Sequence, residues 1–272
     1  MSQAAVSARL RTCLQALKAQ GRKAFVPFMM AGDSSFERAQ SLLHSLPAAG
    51  ADIIELGMPF SDPMADGPAI QAAGQRALAG GQTMVRTLRM VAAFRRTNAT
   101  TPILLMGYYN PIHRYGVPRF VRDAHKAGAD GLIVVDLPPE EDDALCHPAH
   151  AAGLDFIRLV TPTSDAERLP RLLTHARGFL YYVSVTAITG TARPQLAQVG
   201  RALKALRAHS ALPVMIGFGI ATARDAKRAA AMADGVVVGS ALVERWAHAP
   251  PAQALSRTLA FARDLSKSVH QT

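Results

Sequence analysis

Short apolar runs alternate with longer amphipathic stretches eight times along this chain of 272 residues. The runs predict strands at Ala24–Ala31, Asp52–Met58, Pro102–Tyr108, Gly131–Leu137, Phe156–Thr161, Phe179–Val185, Pro213–Gly217 and Gly235–Val238. Runs this short, bounded by turn residues, fit strands buried on both faces. The amphipathic stretches predict helices, for instance Ser35–Ala49, Met84–Thr97, Pro139–Ala152 and Gln195–His209. Val6, Leu10, Cys13, Leu14 and Leu17 recur at helical spacing and place a further helix over Ala5–Ala19, packed on the domain. Strand then helix, repeated eight times, is the pattern of an α/β chain closed into a parallel (β/α)8 TIM barrel, here with an N-terminal capping helix. Residues 1–272 read as a single TIM-barrel domain.

A weak internal repeat supports that reading. Ala-Gly-Ala-Asp leads into the second and fourth strands at Asp52 and Asp130, Ala-Gly-Leu-Asp into the fifth at Asp155, and Met-Ala-Asp into the eighth at Asp234. Each marks a helix end turning into a strand.

Composition narrows the class. Hydrophobic residues make up 49% of the chain, yet no apolar run reaches the roughly 18 to 20 residues of a membrane span. Cys13 and Cys146 alone support neither a disulfide framework nor a zinc site, and a reducing cytoplasm fits them. The formal charge of +10 raises nucleic acid as a partner, but the basic residues come at most in pairs and lack the interleaved aromatics of a single-strand binder. Solvated helix faces and attraction of small anions account for the charge. The first 32 residues lack Asp and Glu, which resembles a transit peptide in composition; the helical spacing favours a packed helix instead.

The chemistry gathers where the second strand ends. Alternation sends Ile53, Glu55 and Gly57 to one face and Ile54, Leu56 and Met58 to the other, and both faces read as buried. A carboxylate there must be paired, hydrogen-bonded or shifted in pKa, so Glu55 is either half of an internal salt bridge or an acid/base group. Beyond it runs a loop stiffened by Pro59, Pro63 and Pro68 that carries Asp62 and Asp66. After the seventh strand comes Gly217-Phe218-Gly219-Ile220, and after the eighth Gly239-Ser240-Ala241. Glycines at those two points let backbone N–H groups close on a phosphate, with a helix starting at Ser240 aimed at it. The lysines all fall outside the strand ends, so no Schiff-base nucleophile is evident. Of the nine histidines none sits at a strand exit, and His147 and His150 read as surface residues rather than metal ligands. Asp33, Asp136 and Ser184 complete the polar set at strand ends with Glu55, Asp62, Asp66, Tyr108, Tyr181 and Thr189, a set suited to proton transfer on a phosphorylated substrate.

Phe25-Val-Pro-Phe, the run from Glu55-Leu-Gly-Met-Pro-Phe-Ser-Asp-Pro-Met-Ala-Asp to Gly67-Pro68, Leu105-Met-Gly-Tyr-Tyr-Asn-Pro-Ile, Val134-Val-Asp-Leu-Pro, Ile188-Thr-Gly, Gly217-Phe-Gly-Ile and Gly239-Ser-Ala together resemble the α subunit of tryptophan synthase. The acidic loop is the most specific piece. The resemblance implies a lyase that cleaves indole-3-glycerol phosphate to indole and glyceraldehyde 3-phosphate by a retro-aldol reaction, with no organic cofactor or metal, and passes indole to a PLP-dependent β subunit in an α2β2 assembly. It also implies Glu55 as general acid/base and Asp66 as the charge that stabilises the indole nitrogen. Phe28 and Tyr108 would line the indole pocket, Tyr181 would lie near the glycerol, and Thr189 would sit on a lid. Gly190, Gly217, Phe218, Gly219, Gly239 and Ser240 would cradle the phosphate, and Pro59 and Asp62 would face the partner. Two positions depart from the family pattern. Ala187 replaces a lid glycine, and Ser34 replaces the proline that follows Gly32-Asp33, a change expected to matter little. A stand-alone indole-releasing lyase, an FMN-binding barrel and a non-catalytic activator of a β-type subunit are the alternative readings.

Overall fold

The computed structural model describes residues 7–161, 168–183, 196–217 and 219–272. Nine parallel strand segments form one sheet in the order β5-β4-β3-β2-β1-β9-β8-β7-β6. They are β1 Ala24–Met30, β2 Ile54–Gly57, β3 Ile103–Gly107, β4 Gly131–Val134, β5 Asp155–Phe156, β6 Arg158–Val160, β7 Leu180–Tyr182, β8 Val214–Ile216 and β9 Gly235–Val238. β1 pairs with both β2 and β9, so the first and last units meet as a barrel requires. β5 and β6 are two halves of the fifth expected strand: the lower half pairs with β4 and the upper with β7, with Ile157 between them. The eight-strand (β/α)8 barrel therefore holds, with its fifth strand engaging its two neighbours at different heights.

The expected helix Pro139–Ala152 is also in two pieces, a 3-10 helix over Pro139–Ala144 and an α-helix over Cys146–Ala151. Pro148 explains the break, because a proline deep in a continuous helix lacks the N–H and clashes with the preceding turn, whereas in a helix restarting at Cys146 it falls in the first turn. Asp142, on the 3-10 piece, is turned inward to a buried ion pair with Arg158.

The repeated aspartates have a common structural task. Asp52 accepts the Phe25 N–H at 2.8 Å, Asp130 the Ile103 N–H at 2.8 Å, and Asp234 the Val214 N–H at 2.9 Å. Each carboxylate thus satisfies the backbone at the start of a neighbouring strand, which would otherwise leave a buried donor unpaired. Asp130 also takes Arg9 and Arg95. Asp155 departs from the pattern: it faces the Ser7 N–H, and burial lifts its carboxyl to about 6.

The N-terminal helix, Ala8–Ala19, closes the lower mouth of the barrel. Leu10 and Leu17 join a cluster with Val26, Leu104, Ile133 and Met215 from the barrel interior. Ser7 caps it by accepting the Leu10 N–H, and its hydroxyl donates to Asp130 at 2.9 Å. Ser7→Ala is expected to cost about 1 to 2 kcal/mol, the usual worth of such a cap, seen as a lower urea midpoint at unchanged slope. An unchanged midpoint would mean that the cap adds nothing to what the apolar face and the Arg9–Asp130 pair supply. Among the described residues no helix is long and apolar enough to cross a membrane.

Candidate active site

Side chains on the inner face of the upper barrel build the site. Glu55 lies level with Phe28 of β1 and Leu104 of β3. It is 1% exposed, and neither carboxylate oxygen has a hydrogen-bond partner among the described residues. No ion pair reaches it among those residues either, which favours the acid/base reading over the internal salt bridge. Burial pushes its carboxyl up to about 8, and the charge of Asp66 adds to the shift. Near neutral pH Glu55 is therefore mostly a protonated acid held in an apolar wall.

Asp66 arrives on the acidic loop between β2 and the helix Pro68–Ala79. Burial raises its carboxyl to about 6, and the hydroxyl of Tyr108 beside it pulls the other way. Two neighbouring carboxyls with separated pKa values allow one to donate a proton while the other carries charge. Tyr108 also accepts the Ala65 N–H at 3.0 Å, and its ring lies 5.4 Å from that of Phe60. Gln71 donates to the Asp66 carbonyl at 2.8 Å from the first turns of the following helix. Phe60 and Gln71 thus fix the loop that delivers Asp66. The sequence reading missed both; Gln71 is the fourth residue of its helix, one position past the place where a capping pattern would single it out.

Tyr181, 7% exposed on β7, sits opposite: burial and the nearby Glu55 together hold its hydroxyl far from ionisation. Gly217 makes room for it, since a Cβ at that position would lie 2.2 Å from the Tyr181 hydroxyl oxygen. Gly239 stands apart, with a Cβ there meeting Phe28 and Ile70 at ordinary contact distances of 3.7 and 3.8 Å. Gly219 has a positive φ of 60°, a backbone state that glycine adopts at little cost. The helix Ser240–His248 starts at Gly239 with no side-chain cap among the described residues, and its first turn closes on the Gly239 carbonyl through the Leu242 N–H at 2.9 Å. Thr189, Gly190 and Phe218, with Ser184 and Ala187, lie outside the described residues.

Other sequence candidates have structural roles. Asp33 is locked in a two-pronged pair with Arg76 at 2.7 and 2.9 Å, tying the exit of β1 to the helix after the acidic loop. Asp136 accepts the Tyr109 N–H at 2.7 Å. Ser34 adopts φ 70°, the one non-glycine residue with positive φ among those described. Proline is fixed near −65° and has no access to that state, so a proline does not fit at position 34 in the loop as it stands. His147 is exposed as expected, but His150 is not a surface residue: it is 5% exposed, and burial, with nearby cations, lowers its pKa to about 3. Burial lifts both cysteine thiols to about 12, which leaves them protonated and inert. Asp62 is exposed on the acidic loop and Pro59 half-buried at its base. Met64 between Asp62 and Asp66 is 81% exposed, one of two large hydrophobic side chains described as exposed.

The profile of the tryptophan synthase alpha chain family matches residues 14–270. A tryptophan synthase alpha chain from Legionella pneumophila subsp. pneumophila is 41% identical, with TM-score 0.89 over 96% of this chain and 97% of that one. The alpha subunit from Legionella pneumophila str. Paris is 42% identical, with TM-score 0.90 over 96% and 98%. A chain of Mycobacterium tuberculosis tryptophan synthase is 36% identical, with TM-score 0.88 over 98% and 99%. With a shared fold, identity well above the level at which fold alone is shared, and matches running almost end to end, this chain belongs to the tryptophan synthase alpha chain family.

Proposed function

We propose that Glu55 and Asp66 divide the work of cleaving indole-3-glycerol phosphate to indole and glyceraldehyde 3-phosphate, the reaction that goes with the family. The observation that carries this is the buried Glu55 carboxyl, without a hydrogen-bond partner among the described residues, with Asp66 as its charged neighbour. Protonated Glu55 delivers its proton to C3 of the indole ring, which turns the ring into an iminium electron sink. The Asp66 carboxylate stabilises the positive charge on the ring nitrogen. Glu55, now ionised, removes the proton of the glycerol hydroxyl next to the ring; the C–C bond breaks, its electron pair returns to the ring, and the aldehyde leaves. Glu55 ends protonated, as it began, so neither lysine nor metal is needed to close the cycle.

Phe28 and Tyr108 flank the indole, Tyr181 stands near the reacting glycerol, and Thr189 is assigned to the lid. The phosphate is assigned to the backbone at Gly190, Gly217, Phe218, Gly219, Gly239 and Ser240. Pro59 and Asp62, with the exposed Met64, offer a surface for a PLP-dependent β subunit, and the chain acts as one cytoplasmic barrel domain within an α2β2 assembly. Mixing it with a β subunit and measuring activation of both partners tests the assembly, because a stand-alone lyase shows none.

The carboxyl pair sets the pH profile. Activity requires Asp66 ionised, which fails as pH drops through about 6, and Glu55 protonated, which fails as pH rises through about 8. The expected kcat/KM profile for indole release is a bell between those limits, belonging to the pair rather than to either residue alone. In Asp66→Asn the alkaline limb moves to lower pH, because one cause of the raised Glu55 pKa is gone, and the acid limb disappears. An alkaline limb unmoved by Asp66→Asn would separate the two carboxyls and remove the proposed division of labour.

A further inference from the structure

Asp142, His147 and His175 come together on helices and a turn outside the strands. Asp142 lies on the 3-10 helix Pro139–Ala144, His147 on the helix Cys146–Ala151, and His175 in the turn between the helix Arg168–Leu173 and β7. One ligand atom from each lies within 4.8 Å of the other two. The two imidazole rings meet edge to face, with centroids 4.6 Å apart and planes at 88°. Two imidazoles and a carboxylate from separate elements are a donor set suited to a borderline divalent ion such as zinc.

A second feature points the same way. Asp143 holds Nδ1 of His147 at 2.7 Å. A carboxylate on one ring nitrogen fixes the tautomer so that the other, Nε2, presents its lone pair, which is the usual support of a metal-bound histidine. Asp142 is already paired with Arg158, but a carboxylate has about four acceptor positions and can serve an arginine and an ion together. The Arg158 charge opposes a cation, and the charges of Asp142 and Asp143 offset it.

We propose that Asp142, His147 and His175 form a zinc site that clips the segment 139–151 to the turn entering β7, with Asp143 as a positioning residue for His147. The remaining coordination positions are left to water. The cluster shares no residue with the site of Glu55 and Asp66, so it is a structural clip and no step of the cleavage runs through it. Binding of zinc to the folded chain alone stabilises it in proportion to the logarithm of free zinc over Kd.

Titrating the full chain with zinc chloride by isothermal calorimetry, with thermal unfolding in parallel, tests this. One equivalent is expected to bind saturably and to raise Tm. His147→Ala and His175→Ala are each expected to weaken binding at least about tenfold and to abolish the rise, while basal indole release stays unchanged. Asp143→Asn is expected to weaken binding about 10- to 100-fold, the range seen when a supporting carboxylate is lost. Absence of saturable binding overturns the site. So does equal binding by the parent and both histidine variants, which would place the zinc on other surface histidines. Should His175→Ala fail to fold, His147→Ala on the exposed helix face decides alone.

Discussion

Glu55→Gln is expected to release indole about 100- to 10,000-fold more slowly than the parent chain, the usual worth of a positioned acid/base group, while folding at least as well. Glutamine keeps the volume and loses the transferable proton. The stability half of the prediction follows from the raised pKa. Between the ordinary glutamate value of 4.5 and about 8, the folded chain holds a proton at Glu55 that the unfolded chain has lost. Stability therefore falls as pH rises through that window, and the full penalty is present above about 8. A tenfold difference in proton affinity between the folded and unfolded chain corresponds to about 1.4 kcal/mol, so the penalty is on the order of a few kcal/mol. Glu55→Gln removes it. Thermal unfolding is expected to show a higher Tm than the parent at about pH 9 and an equal one at about pH 5. Activity within roughly tenfold of the parent would take Glu55 out of the mechanism. A variant destabilised at about pH 9 would show instead that the carboxylate has a partner worth more than its burial costs.

That trade also explains how much of the site could be read from the chain. Glu55 stood out because an acidic residue interrupts an apolar run, and the structure buries it there with no hydrogen-bond partner among the described residues. Aspartates at the helix-to-strand turns were visible as a repeat, and their hydrogen bonds to neighbouring strands give the repeat its cause. What stayed hidden depended on pairs far apart in sequence. Nothing local announces that Arg158 is buried against Asp142, that His150 faces inward, or that His175 meets His147. The break at Ile157 was illegible for a similar reason: an apolar strand reads the same whether its two edges pair at one height or at two. Ser34 shows a different case, a position visible in the chain whose positive φ is a property of the folded loop and not of the residue name.

Gly217 and Gly239 looked interchangeable in sequence, each a glycine at a strand end beside the expected phosphate, and the structure separates them. A Cβ on Gly217 would stand 2.2 Å from the Tyr181 hydroxyl oxygen and 2.5 and 2.7 Å from its ring carbons. The Gly217 N–H is held to the Tyr182 carbonyl at 3.3 Å, so the backbone is tied to β7 and the ring has to give way. Tyr181 is packed in the barrel interior, where forcing a ring aside costs about 1 to 3 kcal/mol. Gly217→Ala is therefore expected to lose that much stability. It is also expected to lower kcat at least about tenfold, a barrier change of about 1.4 kcal/mol, because Tyr181 no longer faces Glu55. Gly239→Ala adds a methyl at ordinary contact distance from Phe28 and Ile70. It should unfold like the parent and raise KM for the phosphorylated substrate, with glycerol 3-phosphate weakened as a competitive inhibitor. Urea midpoints and steady-state constants for the two variants make the comparison. A Gly217→Ala chain with parental midpoint and kcat would mean that the Tyr181 ring moves freely, and that the close approach at Gly217 constrains neither fold nor reaction.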